Sequence, residues 1–387
     1  MRFLQLLPRQ IVLLFVLCTA ALAQNQPAAF EPKAPQIYLI EAGTGTILYA
    51  RNEDVAVPPA SLAKLMTMEV VFDALRRGEI SLDTTYPVSE HAWRTGGAPS
   101  RTSTMFAALK SEIRVGDLIQ GVIVQSANDG CIILAEGMSG SEEAFAERMT
   151  KRARELGLTT SAFGNASGLP DAKSKVTMRE LVLLSRHMAR TYPDYYRTYS
   201  QPEFEWNKIL QRNRNPLLGL NIGVDGIGTG YTEASGYAIA ASMKQGGKHL
   251  ILAMSGLESG KERAEEARRV LEWAVASFEK KRLFEAGEAI GEVSVYGGDR
   301  STVPVVTKEP VEIFVAANNP ERLTARVVYR WPLEAPVSKG QTIGVLKVWS
   351  GDKLLRETPV ETAGEAGVGS LGSRTLDALQ ELLFFWL

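Results

Sequence analysis

The chain has 387 residues, 45% of them hydrophobic and 22% charged, with a formal net charge of −1 at pH 7. That length suits two domains or three. The charge balance offers no basic excess to neutralise phosphates, so nothing points to nucleic acid as a partner.

Arg2 and Arg9 lead into an apolar run from Ile11 to Leu17, followed by Ala21-Leu22-Ala23. A charged start, an apolar stretch and an A-x-A site predict a secretory signal over residues 1–23, cut after Ala23, and hence an exported protein. The cut removes Cys18 and leaves Cys131, so no intramolecular disulfide is expected. Within Cys131-Ile132-Ile133-Leu134-Ala135, the cysteine reads as a small buried hydrophobe.

Residues 24–34 are polar and proline-bearing, a loose leader. Ile37–Ile40 and Ile47–Tyr49, joined through Thr44-Gly45-Thr46, predict a β-hairpin. Pro58 and Pro59 then stop any earlier helix, and the proline- and glycine-free run from Leu62 to Arg77 predicts the next one. Ser61 and Lys64 thus share a helix face at its N-terminus, where backbone N–H groups favour developing negative charge. A neutral lysine amine there could take the serine proton; taken alone, so short a pattern reads better as a capping serine and a surface lysine.

From Val115 to Arg154 the pattern is mainly helical, interrupted near Ser126-Ala127-Asn128-Asp129-Gly130. A loop follows at Phe163–Pro170, and Thr177 with Glu180 predicts a capping box for the next helix. After a loop at Arg212–Pro216, Val224–Thr232 carries Gly228-Thr229-Gly230, read as the head of a strand. Tyr237–Ala241 and Leu250–Met254 read as further strands around the turn Gln245-Gly246-Gly247-Lys248. A helix is expected from about Lys261 to Phe278, with Lys280, Lys281 and Arg282 at its C-terminal end. The order predicts an α+β fold, helices packed on a largely antiparallel sheet.

After residue 283 short alternating runs such as Val311/Ile313/Val315 and Leu323/Ala325/Val327/Tyr329 predict a small all-β domain over 284–362, following a first domain over 24–283. In the last segment, 363–387, Leu376, Leu379, Leu383 and Trp386 fall on one helical face. That run is too short to span a bilayer, and it predicts an amphipathic helix lying in a membrane surface. The alternative is a helix docked on protein.

Ser61-Leu62-Ala63-Lys64, then Ser126-Ala127-Asn128, then Gly228-Thr229-Gly230 form an ordered set. The set resembles the S-x-x-K, S-x-N and K-T-G signature of penicillin-binding proteins and class A β-lactamases. The chain as a whole is similar to the low-molecular-weight penicillin-binding proteins that act as D-alanyl-D-alanine carboxypeptidases. The likeness includes Asn213-Arg214-Asn215, the β-rich second domain and the terminal amphipathic helix.

The resemblance implies a penicillin-binding fold and an acyl-enzyme peptidase without a cofactor. Its substrate would be the peptidoglycan stem peptide ending in D-Ala-D-Ala, and β-lactams would be covalent inhibitors. It implies a periplasmic enzyme attached peripherally to the outer face of the cytoplasmic membrane. Ser61 would be the nucleophile, Lys64 its base, and Ser126 the proton shuttle to the leaving amine. Asn128 would hold the substrate amide, and the N–H groups of Ser61 and Tyr231 would form the oxyanion hole. Gly228, Thr229 and Gly230 would flank the substrate, Arg214 would stand near its terminal carboxylate, and Arg263 would be a supporting cation.

Gly228 departs from the family pattern, which carries lysine there. Two alternatives follow: a catalytically weakened penicillin-binding wall scaffold, or a β-lactamase, for which no Glu-x-x-Leu-Asn follows the second motif. The three histidines, His91, His187 and His249, suggest neither a Ser-His-Asp site nor a metal site, since no H-E-x-x-H or Cys/His cluster occurs.

Overall fold

The computed structural model describes residues 30–317 and 322–370. The expected signal and the body of the expected amphipathic helix lie outside them. Residues 30–33 are irregular. From Ala34 onwards, the described residues build a helix-and-sheet domain followed by an all-β one, the α+β architecture expected.

The first sheet is five-stranded among the described residues. Strands β1 (Gln36–Glu41) and β2 (Ile47–Arg51) form the hairpin read from the sequence. β3 (Val224–Thr232), β4 (Gly236–Gln245) and β5 (Lys248–Leu257) complete it in the order β2-β1-β5-β4-β3, antiparallel throughout. β3 is therefore an edge strand. The unbroken apolar run Leu250–Met254 reflects burial on both faces. Ile251 and Ala253 join the large core beside Phe72, Leu118 and Leu181, while the alternate residues Leu250 and Leu252 are buried on the opposite face.

On the core side lie α1 (Lys64–Arg76), α2 (Val115–Val124), α3 (Asn128–Ser139), α4 (Glu142–Glu155) and α5 (Met178–Thr191). A last helix, α6 (Gly260–Ser277), packs on β4 and β5. The interruption near residue 126 is shorter than expected, because α3 already begins at Asn128.

Three expectations need correction. Thr177 caps α5 by accepting from the N–H of Glu180, but Glu180 does not reach back to close the box. Its carboxylate instead accepts from the N–H groups of Thr160 and Ser161, tying a distant loop to the helix. Second, α6 stops at Ser277, and Phe278–Phe284 is a strand paired with Val311–Ala316. Lys280 and Arg282, two residues apart on one strand face, both bridge Glu312 of that partner, so the basic run serves a cross-strand ion pair and not a helix end. Third, Gly228 does not head a strand; it is the fifth residue of the nine-residue β3.

The second domain also contains, among the described residues, a six-stranded sheet in the spatial order 323–329, 342–350, 353–362, 302–306, 291–296 and 333–334. Two apolar clusters fill it, one around Val293, Val303 and Val305 and one around Ile313, Leu346 and Val348. The Phe314 N–H donates to buried Thr46 Oγ1 at 3.1 Å, joining this domain to the β1–β2 hairpin.

Candidate active site

Ser61 lies in a single 3-10 turn, Ala60–Ala63, that runs directly into α1 at Lys64. The turn is entered through Ala60 with φ +49°, a left-handed conformation that L-residues avoid unless their surroundings hold them there. Lys64 Nζ is 3.0 Å from Ser61 Oγ and donates to the backbone carbonyl of Ser167 at 2.6 Å. Lys64 is buried, and burial pushes its ammonium below the ordinary lysine range. The opposing influences are Cys131 and Asp129. Burial holds the Cys131 thiol up at about 12, so it is uncharged near neutrality, and the acid that acts on Lys64 is Asp129. A neutral amine whose N–H is committed to Ser167 O has its lone pair left for the serine hydroxyl.

The loop that supplies this carbonyl is built around Asn165. Its Oδ1 accepts from the N–H groups of Ser167 and Gly168, and its Nδ2 donates to Leu169 O. Gly168 has φ +78°, and a Cβ there would fall 1.7 Å from Ala60 O, so only glycine lets the loop close on the turn that carries Ser61. Neither Asn165 nor Ser167 was singled out from the sequence; the Asn-Ala-Ser-Gly run was legible only as a loop.

Ser126 is the left-handed link between α2 and α3, with φ +58°. Asn128, the first residue of α3, is buried and donates from Nδ2 to Thr102 Oγ1 at 2.9 Å. Beside it the buried Asp129 carboxylate accepts from Thr104 Oγ1 and from the N–H groups of Met105 and Ala107. Asp129, missed in the sequence reading, thereby anchors the 102–107 segment against the second motif.

β3 closes the other side. A Cβ on Gly230 would lie 3.0 Å from Ala60 Cβ and 3.4 Å from Ser61 N, so the absence of a side chain lets the strand press against the turn that carries Ser61. Among the described residues, a Cβ on Gly228 would meet no atom within 4 Å. The cleft between strand and helices is lined by Ser61, Lys64, Ser126, Arg214, Gly228 and Thr229, together with Asn213 and Tyr199 among others. Arg214 is held by its N–H to Val124 O and by Nε to Gln125 Oε1 at 3.3 Å. Six of the ten residues singled out from sequence thus share one cleft. Asn128 adjoins it through α3, and Gly230 and Tyr231 continue β3 past Ser61. Arg263, on α6, stands with its guanidinium carbon 5.6 Å from the centre of the Tyr237 ring.

Among the described residues no cluster of His, Cys, Asp and Glu is placed to hold a metal ion, and no helix is long and apolar enough to cross a membrane.

Residues 21–258 match the D-alanyl-D-alanine carboxypeptidase family of peptidases, and residues 278–366 match the penicillin-binding protein 5 C-terminal domain. The chain is 32% identical to D-alanyl-D-alanine carboxypeptidase DacD of Escherichia coli, covering 94% of this chain and 95% of that protein. Identity to DacA of Haemophilus influenzae is 34%, over 92% of each. Penicillin-binding protein 5 of Haemophilus influenzae has the same fold, with a TM-score of 0.75 at 34% identity, covering 87% of this chain and 98% of that one. Fold, order of motifs and extent of similarity agree, and the chain belongs to the D-alanyl-D-alanine carboxypeptidase family of penicillin-binding proteins.

Proposed function

We propose that the protein is a serine D-alanyl-D-alanine carboxypeptidase that removes the terminal D-alanine from peptidoglycan stem pentapeptides and is acylated by β-lactams. The observation that carries the mechanism is the buried Lys64 amine 3.0 Å from Ser61 Oγ, with its N–H bound to Ser167 O.

Neutral Lys64 takes the Ser61 proton as Oγ attacks the carbonyl between the two D-alanines. Negative charge moves to the carbonyl oxygen, which the N–H groups of Ser61 and Tyr231 receive. The C–N bond then breaks, and the proton passes from Lys64 through Ser126 to the leaving D-alanine amine. Asn128 orients the amide of the remaining stem, and Arg214 and Thr229 face the departing carboxylate. Water adds to the acyl-Ser61 ester, releasing the shortened stem and restoring the hydroxyl. A penicillin amide follows the same first step and leaves a slowly hydrolysed ester.

Export through residues 1–23, a periplasmic site of action and peripheral attachment through the segment after 363 complete the reading; their support is the sequence pattern alone. The division into a peptidase domain over 24–283 and a β-rich domain over 284–362 belongs to the same proposal. Gly228 favours one second reading, a penicillin-binding wall scaffold with weakened turnover, because the family's cation at that position is missing.

The test is twofold. Intact-mass and peptide mapping after exposure to a fluorescent penicillin is expected to place the adduct on Ser61 and to lose it in Ser61→Ala. Release of D-alanine from a pentapeptide is expected in the wild type. An adduct elsewhere refutes the mechanism, and acylation without D-alanine release establishes the scaffold.

A further inference from the structure

The oxyanion hole uses the backbone of Tyr231 and leaves its side chain without a role. Tyr231 is 52% exposed on an edge strand, yet its ring does not stand free. Tyr231 pairs directly across the ladder with Tyr237, and the two ring centres are 4.3 Å apart at an interplanar angle of 36°. Arg263 lies against the Tyr237 ring. Among the described residues its buried Nε has no hydrogen-bond acceptor, and the neighbouring aromatic ring is a favourable surface for its charge. The result is a stack of guanidinium, ring and ring whose outermost member is presented to solvent.

Its position along β3 says what it faces. Gly230 presses on Ser61, marking where the reacting carbonyl sits, and the terminal carboxylate of the substrate belongs at the Gly228–Arg214 end. The acyl portion must then leave in the other direction, along the open edge of β3 beside Tyr231, whose ring, like that of its cross-strand partner Tyr237, stands on the α6 face of the sheet and not on the face that meets Ser61. We propose that the Tyr231 ring is a recognition platform for a flat, apolar group on the acyl side of the scissile amide, such as the arylacetamido side chain of a penicillin, and that Tyr237 and Arg263 are positioning residues that hold it. This rests on the acyl-enzyme reading above. A ring already pinned by a neighbour loses little freedom on binding, which favours contact with a second flat surface.

The test compares two acylating compounds on the full chain: benzylpenicillin, and 6-aminopenicillanic acid, which lacks the aryl side chain. Second-order acylation rates are measured by mass spectrometry, and the readout is their ratio, which cancels any general loss from a disturbed strand. Tyr231→Ala and Tyr231→Leu are expected to lower the benzylpenicillin preference by about three- to tenfold, the range for one aromatic contact. Tyr231→Phe is expected to retain it. Tyr237→Leu and Arg263→Leu are expected to lower it in the same direction by freeing the ring. An unchanged ratio in Tyr231→Ala overturns the platform. Absence of a Ser61 adduct from either compound in the wild type overturns the acyl-enzyme reading itself, and the platform with it.

Discussion

Lys64 must be uncharged to accept a proton, and its burial moves it in that direction. The sign follows directly: acylation should rise with pH as the amine loses its proton, level off above its lowered pKa, and fall on the acid side with a slope of about one proton. Stopped-flow acylation by a penicillin from about pH 5 to pH 10 measures this; a profile flat throughout would show that the base is another group. Gly228 is the second residue-scale issue. A charge-assisted contact to a carboxylate contributes about 1.5–3 kcal/mol, or roughly one to two decades in kcat/KM. Arg214 lines the same cleft, and its planar fork suits a carboxylate. Arg214→Ala should therefore lower kcat/KM for a pentapeptide by about one to two decades, and much less for the analogue whose terminal carboxylate is amidated. Gly228→Lys should partly rescue that variant, since nothing obstructs a side chain there. Equal losses on acid and amide, without rescue, would remove Arg214 from carboxylate recognition. The Ser61–Lys64 pair could be read in the sequence because three-residue spacing on a helix dictates proximity. The partner that orients the amine, Ser167 O, lies 103 residues further on, and local periodicity carries no trace of such a contact.

At the scale of elements, the site depends on how closely an edge strand approaches a helical turn. Gly230→Ala would put a methyl 3.0 Å from Ala60 Cβ and 3.2 Å from Pro59 O, tight contacts that require the neighbours to give by a few tenths of an ångström. The strand must move outward, at a cost of about 1–3 kcal/mol. A shift of about 1 Å between an oxyanion donor and the nucleophile can cost about 100-fold in rate. Penicillin acylation should thus fall by at least about tenfold, and the melting temperature should drop. The control is Gly228→Ala, two residues away on the same strand, whose methyl meets open space and should leave the melting temperature unchanged. Equal melting temperatures for both variants would show that close approach at Gly230 is not what fixes the strand. The elements themselves were largely legible: both hairpins and the helix after Ser61 announced themselves through turn residues and breaker-free runs. The strand at Phe278–Phe284 did not, because two cations suit a helix end as well as a strand whose partner carries an acid. Only the long-range partner, Glu312, decides between them.

For the whole molecule, the order of elements foretold a helix-and-sheet domain followed by a β domain, but not how they join. Thr46, read only as part of a turn, is fully buried and accepts the Phe314 N–H from the second domain. Near the end of the described residues, the Gly369 N–H donates to Gly297 O, while Asp299 N–H donates to Gly367 O. The segment beyond, outside the described residues, carries Leu376, Leu379, Leu383 and Trp386 at helical spacing, with Arg374 as its cation. An apolar helical stripe ending in tryptophan suits the boundary between headgroups and acyl chains. Ending the chain at Gly369 keeps the hydrogen bonds that close the β domain and leaves all three motifs untouched. Exported protein of that length should therefore move from the membrane pellet to the soluble fraction, while its acylation rate by penicillin stays within about twofold of the full chain, the scatter expected where no site contact is removed. Replacing Leu379 and Leu383 by aspartate in the full chain should release it equally, because the proposed attachment is through the apolar face and not the length of the tail. Partition that persists after both changes would mean that the protein reaches the membrane by another surface.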